Sequence, residues 1–336
     1  MGVSIVEIAG AAGVSHSTVS RALRHSPLVS PATGERIRHL AQEMGYVPSA
    51  IGRGLAMQST RTVGLVVTTI ADPFVAEIVR GVEELAMDKG YSLLLCQSGA
   101  QPQRELTAVT ALHENRVAGV IVTSSRVGER YLPLLEQMKV PIVLINNERA
   151  GQYVGFVAID DVGGGRLATE YLLGLGHQHI AYISGWPEAR SSRDRLQGYN
   201  EALQSQGLAA NPNLVSAGTG RMDGGCKAMQ ALLQSCPRPT AVFCYNDMTA
   251  IGALRALHEA GLRIPAQVSV IGFDDIALAA YATPPLTTIA QPKYEMGQLA
   301  MRMLLDSLSR KALVQNVVLQ GELVVRGSCG GLETRD

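Results

Sequence analysis

SIVEIAGAAGVSHSTVSRAL, Ser4–Leu23, carries two helix starts and one helix stop. Ser4 and Glu7 have the spacing of a capping box: the serine hydroxyl takes the Glu7 N–H and the glutamate reaches back. Ile5, Ile8, Ala9 and Ala12 then fall on one face, and Gly13 supplies the left-handed residue that a sharp stop needs. Ser15 is an N-cap for a second helix whose apolar stripe is Val19, Ala22 and Leu23. Two helices of under ten residues joined through Gly13 make a helix-turn-helix, with small Ala9 where they cross. The outward face of the second helix is His16, Ser17, Ser20, Arg21 and Arg24. Such a face fits a major groove, where an arginine can pair bidentately with guanine; the alternative is a solvated helix face.

Outward from this stretch, Ser30-Pro31 starts a third helix, with Ile37, Leu40, Ala41 and Met44 at helical spacing and Gly45 closing it. Ser49 could cap a further turn running to Met57. It contains Gly52 and Gly54, so alone in water it should be mostly unfolded. Gln58-Ser59-Thr60 reads as linker. Residues 1–61 hold six arginines against three glutamates, with no lysine or aspartate, whereas the whole chain balances 29 basic against 29 acidic residues. A cationic head on a mildly acidic body suits a polyanion partner for the head only.

From Val63 the texture changes. Val63–Val67, Tyr91–Cys96, Ala118–Val122, Pro141–Ile145, Gly155–Ile159, His179–Ile183, Thr240–Cys244 and Val268–Ile271 are apolar strand candidates. Between most of them lie helices such as Phe74–Lys89, Gly165–Leu175 and Asp247–Ala260. Continuous apolar strands with helical crossovers mean parallel sheets covered on both faces. About ten strands are many for one sheet, so two α/β lobes are expected. The chain of 336 residues is 46% hydrophobic and 17% charged, which excludes a disordered chain. The apolar runs are strand-length, so no membrane span is expected. MGVSIVEIAG has no basic residue ahead of its apolar stretch, and the five cysteines include no CxxC pair; both point to reduced thiols in a cytoplasm.

The sequence resembles the LacI/GalR family of transcriptional regulators. VEIAGAAGVSHSTVSRAL (Val6–Leu23) is similar to the family's helix-turn-helix, and GYVPSAIGRGLA (Gly45–Ala56) to the stretch entering its hinge helix. TVGLVV, GVIVTSS, LGHQHIAYISG, YNDMTAIGAL, VSVIGFDD and PPLTTI resemble its body motifs, in family order. The resemblance implies an N-terminal all-α helix-turn-helix head and a two-lobed periplasmic-binding-protein-like body of parallel sheets flanked by helices. The domains would be residues 1–47, a hinge helix and linker over 48–61, and an effector-binding and dimerisation domain over 62–330. Lobe 1 would take about 62–159 and 291–319, and lobe 2 about 160–290 and 320–330.

The resemblance further implies a ligand-responsive repressor that binds a near-palindromic double-stranded operator as a homodimer. His16, Ser17 and Arg21 would read bases, while Ser15, Thr18 and Ser20 would meet phosphates. Leu55 matches the leucine that wedges into the minor groove, and Arg53 could lie in that groove. A small effector, a sugar or sugar acid, would sit between the lobes. Matching positions nominate Asp72, Phe74, Thr123 and Asn146 from the first lobe, then Arg193, Arg195, Asn246 and Asp274 from the second, with Gln291 at a crossover. For Arg195, Asn246 and Asp274 a structural reading stays open, a buried Arg–Asp pair bracing the cleft. Asp247 and Asp275 would brace helix starts. The loop Gly218–Gly225 lacks the aromatic common in relatives, so stacking would fall to Phe74 or Trp186. Two cleft arginines leave room for an acidic sugar or sugar phosphate. A purine or nucleoside effector is the alternative.

Gly163–Ala168 contains GxGxxA after a strand, a loose dinucleotide fingerprint that would suit an enzyme. The acid expected at the end of the next strand is missing, and a flexible helix start is the plainer reading. His177-Gln178-His179 has no local partner to complete a metal site. Neither GxSxG nor a Walker loop occurs, so no enzymatic activity and no cofactor are expected.

Overall fold

The computed structural model describes residues 3–46, 60–124, 140–147, 154–187, 189–309 and 316–331. The chain divides into two compact units, Met1–Thr60 and Arg61–Asp336.

The first unit is built by its caps. Helix α1 (Ile5–Ala12) has the full Ser4–Glu7 capping box and ends at Gly13 with φ +67°. Ser15 caps α2 (His16–Leu23), and Ser30, with Pro31 at the first position, caps α3 (Pro31–Glu43). Ile8, Ala9, Ala12, Val19, Ala22, Ile37 and Ala41 form the core between them. Two arginines of α3 stitch the bundle: Arg36 donates to the Ala12 carbonyl (2.9 Å) and Arg38 to that of Ala22 (3.2 Å). These are carbonyls at the ends of α1 and α2, which lack intrahelical partners.

The second unit holds two six-stranded sheets. Sheet 1 contains β1 (Thr62–Val67), β2 (Ser92–Gln97), β3 (Gly119–Thr123), β4 (Ile142–Ile145), β5 (Val154–Ile159) and β11 (Asn316–Leu319), in the order β11-β5-β4-β3-β1-β2. Sheet 2 contains β6 (Ile180–Ile183), β7 (Val215–Ser216), β8 (Ala241–Cys244), β9 (Ser269–Asp274), β10 (Thr287–Ala290) and β12 (Glu322–Val324), in the order β12-β10-β9-β8-β6-β7. Every pairing is parallel except β10 with β12. Central strands β3, β4, β6, β8 and β9 are buried along their whole length, as a sheet covered on both faces requires.

The covering helices are α4 (Pro73–Asp88), α5 (Pro102–Glu114), α6 (Asp161–Gly174), α7 (Arg190–Ser205), α8 (Met222–Leu232), α9 (Asp247–Glu259), the short α10 (Ala277–Tyr281) and α11 (Lys293–Leu308). Helix α11 follows sheet 2 in sequence but packs on α4 and on β3, β4 and β5 of sheet 1. The chain therefore passes between the lobes after β5, after β10 and again between β11 and β12.

Where helices pair, glycine sets the separation. A Cβ on Gly198 of α7 would stand 2.1 Å from the Val162 carbonyl, and one on Gly165 of α6 would stand 2.4 Å from that of Arg195. Gly225 meets Thr249 in the same way, as does Gly81 meeting Tyr294. Gly163–Ala168 is a helix start, as the plainer reading has it, and its glycines let α6 lie against α7 and Phe273; α6 begins four residues before the expected Gly165. The Asp160 carboxylate accepts from the Gly163 N–H (2.8 Å), so the place a pyrophosphate would take is filled by an anion. Among the described residues no helix is long and apolar enough to cross a membrane.

Candidate functional site

In the first unit the chemistry lies on α2. His16, Ser17 and Arg21 are exposed. The Ser15 hydroxyl accepts from the Thr18 N–H and lies 2.8 Å from the Ser17 hydroxyl and 2.9 Å from that of Thr18, so the start of α2 is a fixed cluster of hydroxyls. Arg24 folds back, donating to the Ser20 carbonyl (3.1 Å) and hydroxyl (3.0 Å). Arg21 makes no such bond among the described residues, so its planar fork is available to an outside acceptor. Arg53 and Leu55 lie outside the described residues, as does almost all of the 48–61 hinge segment.

In the second unit a cavity of about 580 Å³ opens between the two sheets. Thr68, Ser124 and Asn146, which follow β1, β3 and β4, meet Tyr245 and Asp274 from the ends of β8 and β9. Ligands of open α/β sheets bind at such carboxyl ends. Of the nine residues nominated for this cleft, Asp72, Phe74, Asn146, Arg195, Asn246, Asp274 and Gln291 line the cavity.

Arg193 does not. It lies two residues before Arg195 on α7, about 200° round the helix axis, and is exposed. Thr123 does not either. It is buried, its hydroxyl has no partner, and the wall begins one residue later at Ser124, whose φ is +48°.

Arg195 is buried and braced. Its Nε donates to Asp161 Oδ1 (2.7 Å), one terminal nitrogen donates to the Tyr245 carbonyl (2.6 Å), and the guanidinium lies 3.6 Å over the Phe273 ring. The buried Arg–Asp brace is thus formed with Asp161, while Asp274 Oδ1 stands 3.7 Å from the guanidinium. With Arg195 neutralised and Arg193 turned away, the argument for an acidic sugar or sugar phosphate loses both of its cations. Asn246 caps α9: its Oδ1 accepts from the Thr249 N–H (2.9 Å) and hydroxyl (2.6 Å), and its Nδ2 donates to the Gly220 carbonyl (3.1 Å).

Several buried polar atoms of residues in and around the wall have no partner among the described residues. Gln291 Nε2 donates to Asp274 Oδ1 (2.7 Å), which turns Gln291 Oε1 away, buried and unpartnered. Asn146 Oδ1 and the Thr219 hydroxyl are also buried without partners. The second Asp274 oxygen receives no hydrogen bond among the described residues. Burial pushes the Asp274 carboxyl well up, against the pull of Arg195. Burial also lifts Asp72, against the Phe74 N–H that it caps and the charge of Arg221. Phe74 and Trp186 both line the cavity, and so does Tyr245, which the sequence reading missed although YNDM contains it. Tyr245 is held by its hydroxyl to Ser191 (2.8 Å). A strand-end aromatic just before a capping asparagine was the available signal.

Asp247 braces a helix start, as expected, while the Asp275 side chain holds the segment after β12 instead. Asp247 accepts from the Ile276 N–H (2.8 Å) and the Thr288 hydroxyl (2.6 Å), and Asp275 pairs with Arg326 (2.7 Å). His177 is spent on Thr240, Ser269 and the Gly330 carbonyl, which ties the last described residues to sheet 2.

Residues 4–49 match the family described as bacterial regulatory proteins, lacI family, and residues 169–329 match the periplasmic binding protein-like domain. The HTH-type transcriptional repressor CytR of Escherichia coli (strain K12) is 38% identical over 332 residues, 97% of this chain and 96% of that protein. The HTH-type transcriptional repressor PurR of Aliivibrio fischeri (strain MJ11) is 35% identical over 97% of this chain and 98% of its own. The lac repressor dimer bound to operator and the anti-inducer ONPF superposes with a TM-score of 0.86 at 29% identity, over 98% of this chain and 99% of that one. The complex of the regulator CelR with cellobiose gives 0.73 at 36% identity, over 97% and 99%.

Proposed function

The chain belongs to the LacI family of bacterial regulatory proteins and is a ligand-responsive transcriptional repressor, and on that footing we propose what each of its two sites reads. The α2 face reads one half-site of a near-palindromic operator in the major groove, and a homodimer supplies the second reader. His16, Ser17 and Arg21 address base edges; Ser15, Thr18 and Ser20 hold phosphates and fix register. Arg53 and Leu55 act in the minor groove at the operator centre.

The cavity takes a small, neutral, hydroxyl-bearing effector of sugar type. The observation that carries this is the pair of buried acceptor oxygens without donors among the described residues, Gln291 Oε1 and Asn146 Oδ1, on two residues that line the cavity. A buried acceptor left empty costs about 1–3 kcal/mol, and a sugar hydroxyl donates into such a place. The other partly open cations of the wall, Arg190 and Arg221, stand beside Asp194 and Asp72, so a carboxylate or phosphate gains little there. The effector acts by binding one lobe arrangement better than the other. Family relatives support a sugar: CelR is in complex with cellobiose, and a LacI family regulator of Enterococcus faecium has ribose bound. A nucleoside is the second reading, favoured by three aromatic walls, Phe74, Trp186 and Tyr245.

A thermal-shift series with ribose, cellobiose, adenosine, gluconate and ribose 5-phosphate tests the reading. A ligand at 100 times its Kd adds about 2.7 kcal/mol of stability. A neutral sugar should raise the Tm, and Asp274→Asn should lose that shift. Adenosine alone would favour the second reading; a shift with gluconate or ribose 5-phosphate alone would overturn the neutral effector.

A further inference from the structure

The junction beside Asp274 holds a group that the effector reading does not use. Asp274 has φ +112° and Asp275 φ +52°, both on the side that L-residues avoid. Two successive non-glycine residues there persist only when their surroundings hold them. The chain supplies a holder from the other lobe. Lys293, the first residue of α11, points its ammonium at this turn and donates to the backbone carbonyls of Asp274 and Asp275, the latter at 2.7 Å, with the Gln291 carbonyl at 3.4 Å. All three ammonium protons are thereby spent on carbonyls at the end of β9 and at the crossover. Yet α11 itself is packed on α4 and the strands of sheet 1. The same turn carries the Asp274 carboxylate, fastened to the crossover residue Gln291.

We propose that Lys293 is a positioning residue that pins the strained Asp274–Asp275 turn of the second lobe to the first turn of α11 on the first lobe, so that the carboxylate the effector meets is set by the junction between lobes. The proposal rests on the reading of the cavity as the effector site. Its physical content is a lever. Moving the lobes drags the ammonium off the carbonyls and frees the turn; holding the Asp274 side chain holds the turn, and with it the junction. No ligand needs to touch Lys293 for this.

Hydrogen exchange of the full-length protein without ligand tests the pin. Lys293→Met should speed exchange by about tenfold in segment 274–278 and in 291–296, with the central strands β3 and β8 unchanged. Lys293→Arg, which keeps a charged donor, should restore the slow exchange. If Lys293→Met does not fold, Lys293→Gln gives the same local reading. Unchanged exchange at 274–278, or an equal rise throughout both sheets, overturns the proposal. The cavity reading fails separately: Asp274→Asn would then leave the ribose, cellobiose or adenosine shift untouched, and the exchange result would still stand.

Discussion

Arg21 and Asp247 show how much one side chain decides. Arg24 is occupied by Ser20, so Arg21 is the α2 arginine whose fork faces outward without a partner among the described residues. Arg21→Ala should weaken operator binding by about 1–3 kcal/mol and relax the preference at one base pair per half-site. Fluorescence anisotropy on operator and random duplexes checks this; equal losses on both would make Arg21 a phosphate contact. Asp247 answers to pH. Burial lifts its carboxyl to about 7, against the hydrogen bonds it receives from Thr288 and the Ile276 N–H. A carboxyl raised in the fold binds its proton more tightly there than in the unfolded chain. Its contribution is therefore present at low pH and is lost as pH climbs from about 4 through 7. Asp247→Asn, which cannot ionise, should flatten that part of the slope of urea-unfolding stability against pH. An unaltered slope would mean that Asp247 is ionised throughout.

At the scale of the element, local signals were legible and tertiary ones were not. The Ser4 box, the Gly13 stop and the Ser15 and Ser30 caps are agreements between residues three or four apart, so the sequence states them outright. The start of α6 was set too late because three glycines depress helix propensity; what makes them helical is the backbone of α7 lying against them, which no window of sequence contains. The same limit applies to the site. SSRDRL names two arginines, but helix phase decides that one braces the cleft and the other faces solvent. VTSS names Thr123, but the end of β3 hands the wall to Ser124. Edge strands β7 and β12, of two and three residues, are too short to carry a pattern. The glycine contacts give a paired prediction. Gly198→Ala forces α6 and α7 apart and should cost about 1–3 kcal/mol in chemical unfolding. Gly174→Ala, exposed and with nothing near its Cβ, should be neutral or stabilise by up to about 1 kcal/mol. Equal effects would mean that the helix contact does not set the spacing.

On the scale of the molecule, the two compact units have separate cores and separate chemistry. A fragment of residues 61–336 should keep the full protein's effector-dependent thermal shift and lose specific operator binding, as read by thermal shift and anisotropy. A lost shift would place part of the effector site in the first 60 residues. The last two strands have a consequence of another kind. β11 completes one sheet and β12 the other, only two residues apart in sequence. A nascent chain emerging from the ribosome therefore cannot finish its first lobe and then begin its second. Both lobes wait, each one strand short, until the same final stretch is delivered. The edges β11 will cover on β5 and β12 on β10 stay open for that whole interval. Truncated or stalled chains should then offer two adhesive edges at once, and a premature stop anywhere before residue 316 leaves neither lobe whole.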